Sequence, residues 1–187
     1  MTAPSHFLEE ALRRCARHGA RPTRHFLTVD IARQQTVLFE RWPVGAVFGG
    51  HYTPVREYRC STSRVGIGEK SGSHKTPRGL HRVAQKIGGG WPVGTVFKSR
   101  QPVGYTWAGH ALAPITTRIL WLEGLEMGRN RGGEVDSHAR YIYIHGTGNE
   151  LTLGRPDTIG CIHLAANDLI PLFDRVSEGT LVWIAEG

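Results

Sequence analysis

The stretch that decides the fold is RYIYIHGTGNELTLGRPDTIGCIHLAANDLIPLFDRVSEGTLVWI, residues 140–184. It opens with a strand whose alternation puts Ile142 and Ile144 on one face, and the opposite face then holds Tyr141, Tyr143 and His145. Turn-rich sequence leads from this strand to a lone cysteine. A helix, NDLIPLFDRVSEG, and a closing strand, TLVWI, complete the stretch.

Outside this stretch the sequence predicts short strands joined by turns. The 187 residues include 24 glycines and 10 prolines, and 40% are hydrophobic, which favours one mainly β domain with a substantial core. Residues 5–18 predict an amphipathic helix inside an N-terminal helical extension, 1–22, and we expect the main domain over 25–187. The apolar stripe of that helix is Phe7, Leu8, Ala11, Leu12 and Cys15.

Strand predictions divide into strong and weak ones. The strong ones are Phe26–Ile31, Thr36–Glu40 and Thr117–Gly124. The weak ones are Val47–Phe48, Glu57–Ser61 and Val65–Ile67. The segment LHRVAQK is compatible with a strand or a short helix. In the C-terminal helix we expect Asn167 or Asp168 to supply the N-cap and Gly179 to end the helix.

Charge, cysteine usage and hydropathy narrow the function classes. The net charge is +7, but no recognised motif or aromatic platform accompanies it, so we expect no nucleic acid partner. A solvated basic helix face accounts for the charge, and a small anionic substrate is also compatible with it. Three widely spaced cysteines do not form a disulfide framework. The first residues lack a signal peptide pattern and no segment is apolar enough to span a bilayer. We therefore expect a cytoplasmic monomer without a membrane partner, or a periplasmic protein if the sequence is truncated.

Chemistry is expected from Cys161 and His145, which lie 16 positions apart across a turn-rich segment. A nearby histidine turns a thiol into a nucleophile by accepting its proton. Gly160 permits a tight bend that aims its own N–H and that of Cys161 at a developing oxyanion. The Gly146 carbonyl is the candidate group for orienting the imidazole. A buried structural thiol and a zinc site formed with His163 are the alternatives.

These residues resemble the L,D-transpeptidase catalytic domain, the YkuD type. The family pattern is an apolar strand ending in His-Gly, then Ser/Thr-His-Gly-Cys after roughly 14 to 17 residues. The segments LTVDIARQQTVLFE and GIGEKSGSHKTPRGLHRVAQK resemble its opening hairpin and its glycine-rich segment. The resemblance covers about residues 25–185. It implies a mainly β sandwich of mixed sheets with a few helices, and a cysteine in a cleft under a lid.

The resemblance also implies a role for each matching residue. Cys161 matches the nucleophile, His145 the general base, and Gly146 the residue whose carbonyl holds that base. Thr158 and Gly160 match the opening residue and the glycine of the cysteine motif. The implied substrate is the peptidoglycan stem peptide, and no metal or organic cofactor takes part. Residues expected to line the oxyanion or substrate site are Thr158, Ile159, Gly160, His163, Tyr143 and Arg140.

Two positions depart from the family pattern. Ile159 stands where the family usually has His, and His163 stands where it usually has Arg or Asn. The second change replaces a fixed charge with a group that titrates near neutrality, which would reshape recognition of a substrate carboxylate. Arg129, Arg131 and Arg140 flank the suspected lid and are candidates for meeting such carboxylates, with a solvated loop as the alternative.

The resemblance leaves three functions open. The departure at Ile159 and the absent signal pattern favour the L,D-carboxypeptidases of murein recycling. Such an enzyme cleaves the bond between the L-diamino acid and D-alanine through an acyl-enzyme on Cys161 and transfers the acyl group to water. The alternatives are an L,D-transpeptidase that forms crosslinks or exchanges D-amino acids, and an inactive wall-binding homologue.

Overall fold

A computed structural model describes residues 3–42 and 51–187. The strongly alternating and apolar segments form strands where the sequence predicts them. Within these ranges the helices are α1 (Ala3–Arg17) and α2 (Ala166–Arg175). The strands are β1 (His25–Asp30), β2 (Gln35–Trp42), β3 (His51–Ser61), β4 (Gly79–Ile87), β5 (Thr95–Lys98), β6 (Gln101–Tyr105), β7 (Thr116–Gly124), β8 (Tyr143–Gly146), β9 (Ile162–Leu164) and β10 (Leu181–Ala185). Two short 3₁₀ turns cover Gly133–Val135 and Glu150–Thr152.

The strong predictions are confirmed, and the ambiguous LHRVAQK segment is part of β4. The weak strand at Glu57–Ser61 is the end of the longer β3. The strand predicted at Val65–Ile67 is wrong, because the chain turns there and Ile67 makes only an isolated bridge to Thr76. The predicted strand at Val47–Phe48 lies outside the described residues.

The expected ends of α2 are also corrected. Its N-cap is Ala165, and the N–H of Ala166 is satisfied by Glu150 Oε1 at 2.7 Å instead of a local side chain. Asp168 pairs with Arg56 at 2.7 Å and is not available as a cap. The helix ends at Arg175, before the turn that contains Gly179.

The described strands form one mixed sheet that closes on itself. The order is β4-β10-β1-β2-β3-β9-β8-β7-β5-β6, and an additional pairing joins β4 to β7. The pairs β1–β10 and β8–β9 are parallel, and the other pairs are antiparallel. The mainly β fold of mixed sheets with a few helices is therefore confirmed. Closure protects the strand edges that an open sheet would expose.

Among the described residues, three apolar clusters pack the helices and strands against one another. The central cluster joins the inner faces of the strands to α2, through residues that include Leu120, Ile144, Ile162, Leu164, Leu169 and Leu172. A second cluster fixes α1 to β1, β2, β4 and β10 through its predicted stripe, with Leu8, Ala11 and Cys15 buried. A third cluster, on the other side of β7 and β8, contains Phe97, Ile119, Trp121 and Tyr143, and Cys161 packs against it.

Candidate active site

The parallel pairing of β8 and β9 brings the predicted nucleophile and base onto one face. In this register Ile144 lies beside Ile162, and His145 lies beside His163. The two isoleucines enter the central core, so the alternation sends His145, Cys161 and His163 to the opposite face. Continuing the register by one residue sets Cys161 beside Tyr143, as a diagonal neighbour of His145.

His145 is buried, and one of its two ring nitrogens is hydrogen-bonded. Its Nδ1 lies 2.9 Å from the backbone oxygen of Gly146. A carbonyl only accepts hydrogen bonds, so Nδ1 carries the proton and Nε2 keeps its lone pair. Burial, with a smaller effect of the neighbouring His163, lowers the pKa of His145 to about 3. The imidazole is thus neutral at physiological pH and suited to accept a proton through Nε2.

The Cys161 thiol lies at the edge of the third apolar cluster. Its Sγ donates to the backbone oxygen of Tyr141 at 3.4 Å. Burial raises the pKa of Cys161 to about 11, against smaller opposing effects of the Tyr143 backbone and the Arg140 guanidinium. The resting pair is therefore a neutral thiol and a neutral imidazole, and the proton must move when substrate binds.

His163 lies against the base instead of at an open surface. The ring centroids of His145 and His163 are 4.6 Å apart, with the planes inclined at 61°. Burial lowers the pKa of His163 to about 4. Its Nδ1 is buried without a hydrogen-bond partner among the described residues. The position that the family usually fills with Arg or Asn thus holds a neutral ring that packs on His145.

The turn before the cysteine is held by its own side chains. Thr158 Oγ1 donates to the backbone oxygen of Cys161 at 2.7 Å and accepts from the N–H of Gly160 at 3.1 Å. Gly160 has a φ of +128°, a conformation that side chains disfavour. Its N–H already has an acceptor, so only after Thr158 released it would this group reach an oxyanion. The neighbouring Ile159 is 60% exposed.

A threonine that sequence reasoning missed ties this turn to the glycine-rich loop. Thr76 Oγ1 donates to the backbone oxygen of Gly160 at 3.1 Å and accepts from the N–H of Ser63 at 3.0 Å. Thr76 lies in the segment GIGEKSGSHKTPRGLHRVAQK, and its hydroxyl joins that segment to the turn before the cysteine. A change at Thr76 would therefore loosen the backbone that carries the nucleophile.

Arg140 is a scaffold residue in this structure. Its guanidinium donates to the backbone oxygens of Glu69 at 2.6 Å, Lys75 at 2.7 Å and Gly68 at 3.2 Å. These bonds fasten the glycine-rich loop beside the cysteine and keep a positive charge near the thiol. They also occupy the N–H groups that would bind a substrate carboxylate.

The tyrosines of the predicted strand are placed differently from each other. Tyr143 is buried in the third cluster and forms a wall behind Cys161. Tyr141 lies before β8 with a φ of +57° and is half exposed. A further residue, Arg100, reaches both tyrosines from the β5–β6 turn. No feature of the local sequence near the cysteine indicates Arg100.

Neither a metal-binding cluster nor a membrane-spanning helix is found in the described ranges. Among residues 3–42 and 51–187, no group of three or more His, Cys, Asp or Glu side chains is arranged to hold a metal ion. No helix in the described part of the chain is long and apolar enough to cross a membrane.

Comparison with known families decides the membership of this chain. The family model of the L,D-transpeptidase catalytic domain, YkuD, matches residues 24–184. The chain belongs to this family. The match spans α2 and the ten strands of the described residues, except for the last residue of β10, and it leaves out α1. A comparison with curated proteins finds no match.

Solved structures share the fold at low sequence identity. Bd1075 of Bdellovibrio bacteriovorus aligns with a TM-score of 0.55 and 18% identity, over 88% of this chain and 48% of that one. L,D-transpeptidase 3 of Mycobacterium tuberculosis aligns with a TM-score of 0.51 and 16% identity, over 87% and 61%. An Enterococcus faecium L,D-transpeptidase aligns with a TM-score of 0.50 and 14% identity, over 88% of this chain and 50% of that one. This chain thus spans about half to three fifths of these relatives.

Proposed function

We propose that this protein cleaves the bond between the L-diamino acid and D-alanine of peptidoglycan stem tetrapeptides through an acyl-enzyme on Cys161. The observation that carries the proposal is the arrangement on the β8–β9 face, where Gly146 fixes the tautomer of His145 and leaves its Nε2 without a partner among the described residues, on the face that also carries the thiol. Membership of the L,D-transpeptidase family supplies the substrate class.

The chemistry follows from the neutral resting pair. Substrate binding displaces the thiol from the Tyr141 carbonyl, and His145 Nε2 accepts the proton as Sγ attacks the carbonyl carbon of the diamino acid. The imidazolium then gives this proton to the nitrogen of the leaving D-alanine as the C–N bond breaks. A thioester remains on Cys161. The nearby Arg140 charge favours the sulfur while it is anionic.

We propose water as the acyl acceptor. His145 takes a proton from the water molecule that attacks the thioester, the C–S bond breaks, and Cys161 leaves as a thiol with a tripeptide as product. The support is the exposed Ile159, which replaces the motif histidine as in the carboxypeptidases that this sequence resembles. An amine acceptor, which would give crosslinks or D-amino acid exchange, is the alternative outcome.

Mass spectrometry of the products tests the proposal. The protein is incubated with a disaccharide tetrapeptide, with and without a free D-amino acid. We expect a tripeptide in both samples, no product from Cys161→Ala, and normal turnover by Cys60→Ala as the matched thiol control. A crosslinked dimer or an exchanged terminal residue would assign the amine acceptor. Full D-alanine release by Cys161→Ala would contradict the acyl-enzyme.

A reagent that traps activated thiols distinguishes an active enzyme from an inactive wall-binding protein. A faropenem-derived adduct has been solved for the M. tuberculosis L,D-transpeptidase 3, so faropenem is a suitable probe. If Cys161 is an activated nucleophile, faropenem adds to it and not to the buried Cys15 or Cys60. Binding of muropeptides without an adduct or product would assign the inactive alternative.

A further inference from the structure

The β5–β6 turn presents an arginine in a strained backbone. Ser99 and Arg100 have φ values of +49° and +67°, and neither is a glycine or an asparagine. Two consecutive left-handed residues match the type I′ turns of tight hairpins, which favour Asn-Gly. Retaining a long cationic side chain at such a position costs conformational energy, so its orientation requires support from the surrounding structure.

That support comes from the aromatic residues around the nucleophile. The Arg100 guanidinium lies 4.7 Å from the ring centroid of Trp121 and 5.2 Å from that of Tyr141. Its Nη1 donates to the hydroxyl of Tyr143 at 3.3 Å. Two rings and one hydrogen bond therefore set the direction of the cation before any ligand arrives.

The cation has no anionic partner in the described part of the chain. The ion pairs found there do not include Arg100, and its single hydrogen bond goes to a neutral phenol. The lid arginines differ, because Arg129 pairs with Glu126 and Arg140 donates to backbone oxygens. Arg100 thus keeps most of its N–H donors for a ligand.

Arg100 and the reacting sulfur also share neighbours. The ring beneath the guanidinium belongs to Tyr141, whose carbonyl accepts from Cys161 Sγ. Cys161 packs against the cluster that contains Trp121 and Tyr143. The residues that hold Arg100 therefore belong to the same cluster and the same backbone segment that Cys161 meets.

We infer that Arg100 is the carboxylate-binding residue of the substrate site, a conclusion that rests on the proposed function. A planar guanidinium held in one orientation forms two parallel hydrogen bonds with a carboxylate. The tetrapeptide offers two carboxylates near the scissile bond: the terminal one of D-alanine and the side-chain one of a diamino acid such as diaminopimelate. The positive charge missing at His163 is thus supplied by the β5–β6 turn.

Arg100→Gln tests this inference with three peptides. They are the tetrapeptide as free acid, the same peptide as C-terminal amide, and the analogue with lysine in place of diaminopimelate. We expect kcat/KM for the free acid to fall about 10- to 100-fold, as for other hydrogen bonds to charged groups. Arg100→Lys should recover part of this loss. Lys98→Gln, which removes an exposed charge from the same hairpin, should change it less than threefold.

The pattern of losses identifies the carboxylate. If the amide is a poor substrate that Arg100→Gln no longer affects, the ligand is the terminal carboxylate. If the lysine analogue behaves this way, the ligand is the side-chain carboxylate. Equal losses for all three peptides would overturn the inference, since Arg100 would then support only the aromatic wall.

Calorimetry separates failure of this inference from failure of the proposed function. Cys161→Ala is titrated with the acid and amide peptides, with and without Arg100→Gln. Selective binding that depends on Arg100, without turnover by the wild type, would reject the proposed reaction and retain the carboxylate site. Turnover by the wild type, with binding indifferent to Arg100, would retain the reaction and reject the site.

Discussion

The region around His81 and the region around His145 both bury a histidine whose Nδ1 lies 2.9 Å from a backbone oxygen. They differ at the second nitrogen. His81 Nε2 lies 2.9 Å from the hydroxyl of Ser137, which satisfies the ring completely. His145 Nε2 makes no hydrogen bond to the described residues and lies on the face that carries Cys161.

This difference separates a structural histidine from a candidate base. Burial lowers the pKa of both, to about 4 for His81 and to about 3 for His145, so neither burial nor titration distinguishes them. The cysteines make the same point, because burial raises the pKa of Cys60 to about 12 and that of Cys161 to about 11. The candidate catalytic role therefore depends on the unpaired Nε2 of His145 and on the Cys161 thiol that shares its face.

The largest expected effect is on turnover after His145→Gln. The amide side chain has no basic nitrogen, so we expect D-alanine release to fall about 10³-fold or more. The matched variant His81→Gln should keep turnover within threefold at a temperature where it is folded. Comparable losses for both variants would show that the unpaired nitrogen of His145 has no special role.

Thiol reactivity should follow the thiolate population of Cys161. With a pKa of about 11, alkylation of native Cys161 by iodoacetamide should rise about tenfold per pH unit from pH 7 to pH 10. Cys60 should react only after unfolding, because it is completely buried. A rate that is already constant below pH 8 would reveal a preformed thiolate–imidazolium pair, contrary to the neutral resting state.

Acid should destabilise the protein through histidines whose pKa is lowered in the folded state. Burial lowers the pKa of His25, His81, His145 and His163, so the unfolded chain binds more protons below pH 6.5. Stability is then complete above pH 6.5 and is lost as the pH falls toward 4, by up to about 1.4 kcal/mol per pH unit for each histidine. Chemical denaturation at pH 7, 6 and 5 measures this slope. Variants without His81 or His145 should each have a shallower slope.

His81→Gln should also lower stability at pH 7, and by more than His145→Gln, because His81 loses two buried hydrogen bonds and His145 only one. The substitution disturbs the bonds to Gly79 and Ser137 in a fully buried site, which we expect to cost about 2 kcal/mol. Thermal unfolding should shift by about 4–8 °C for a chain of this size. An unchanged midpoint would mean that the His81 contacts contribute little.

The smallest effect is expected from His163→Asn. This residue packs on His145 but has no bond that positions it, since its Nδ1 has no partner among the described residues. We expect kcat to change less than tenfold, with a higher pKa for His145 because the His163 effect is removed. Titration of the His145 ring by NMR measures that shift. A loss as large as that of His145→Gln would make His163 part of the proton path.

The sequence predicted those parts of the site that lie close together along the chain. Strand alternation and the turn-rich spacing located His145 and Cys161, because His145 lies in β8 and Cys161 directly precedes β9, the parallel neighbour of β8. Arg100 and Thr76 were missed, since only contacts between segments far apart in the sequence bring them to the surroundings of the cysteine. The α2 cap was wrong for the same reason: Glu150, 16 residues away, took the role expected of a local side chain.

The most direct test of the central claim is to trap the acyl-enzyme. The wild-type protein is mixed with the tetrapeptide, quenched in acid within one turnover, and digested for mass spectrometry. We expect a tripeptide acyl group on the fragment that contains Cys161, and none on Cys15 or Cys60. Release of tripeptide without an adduct, or an adduct on another residue, would contradict Cys161 as the nucleophile.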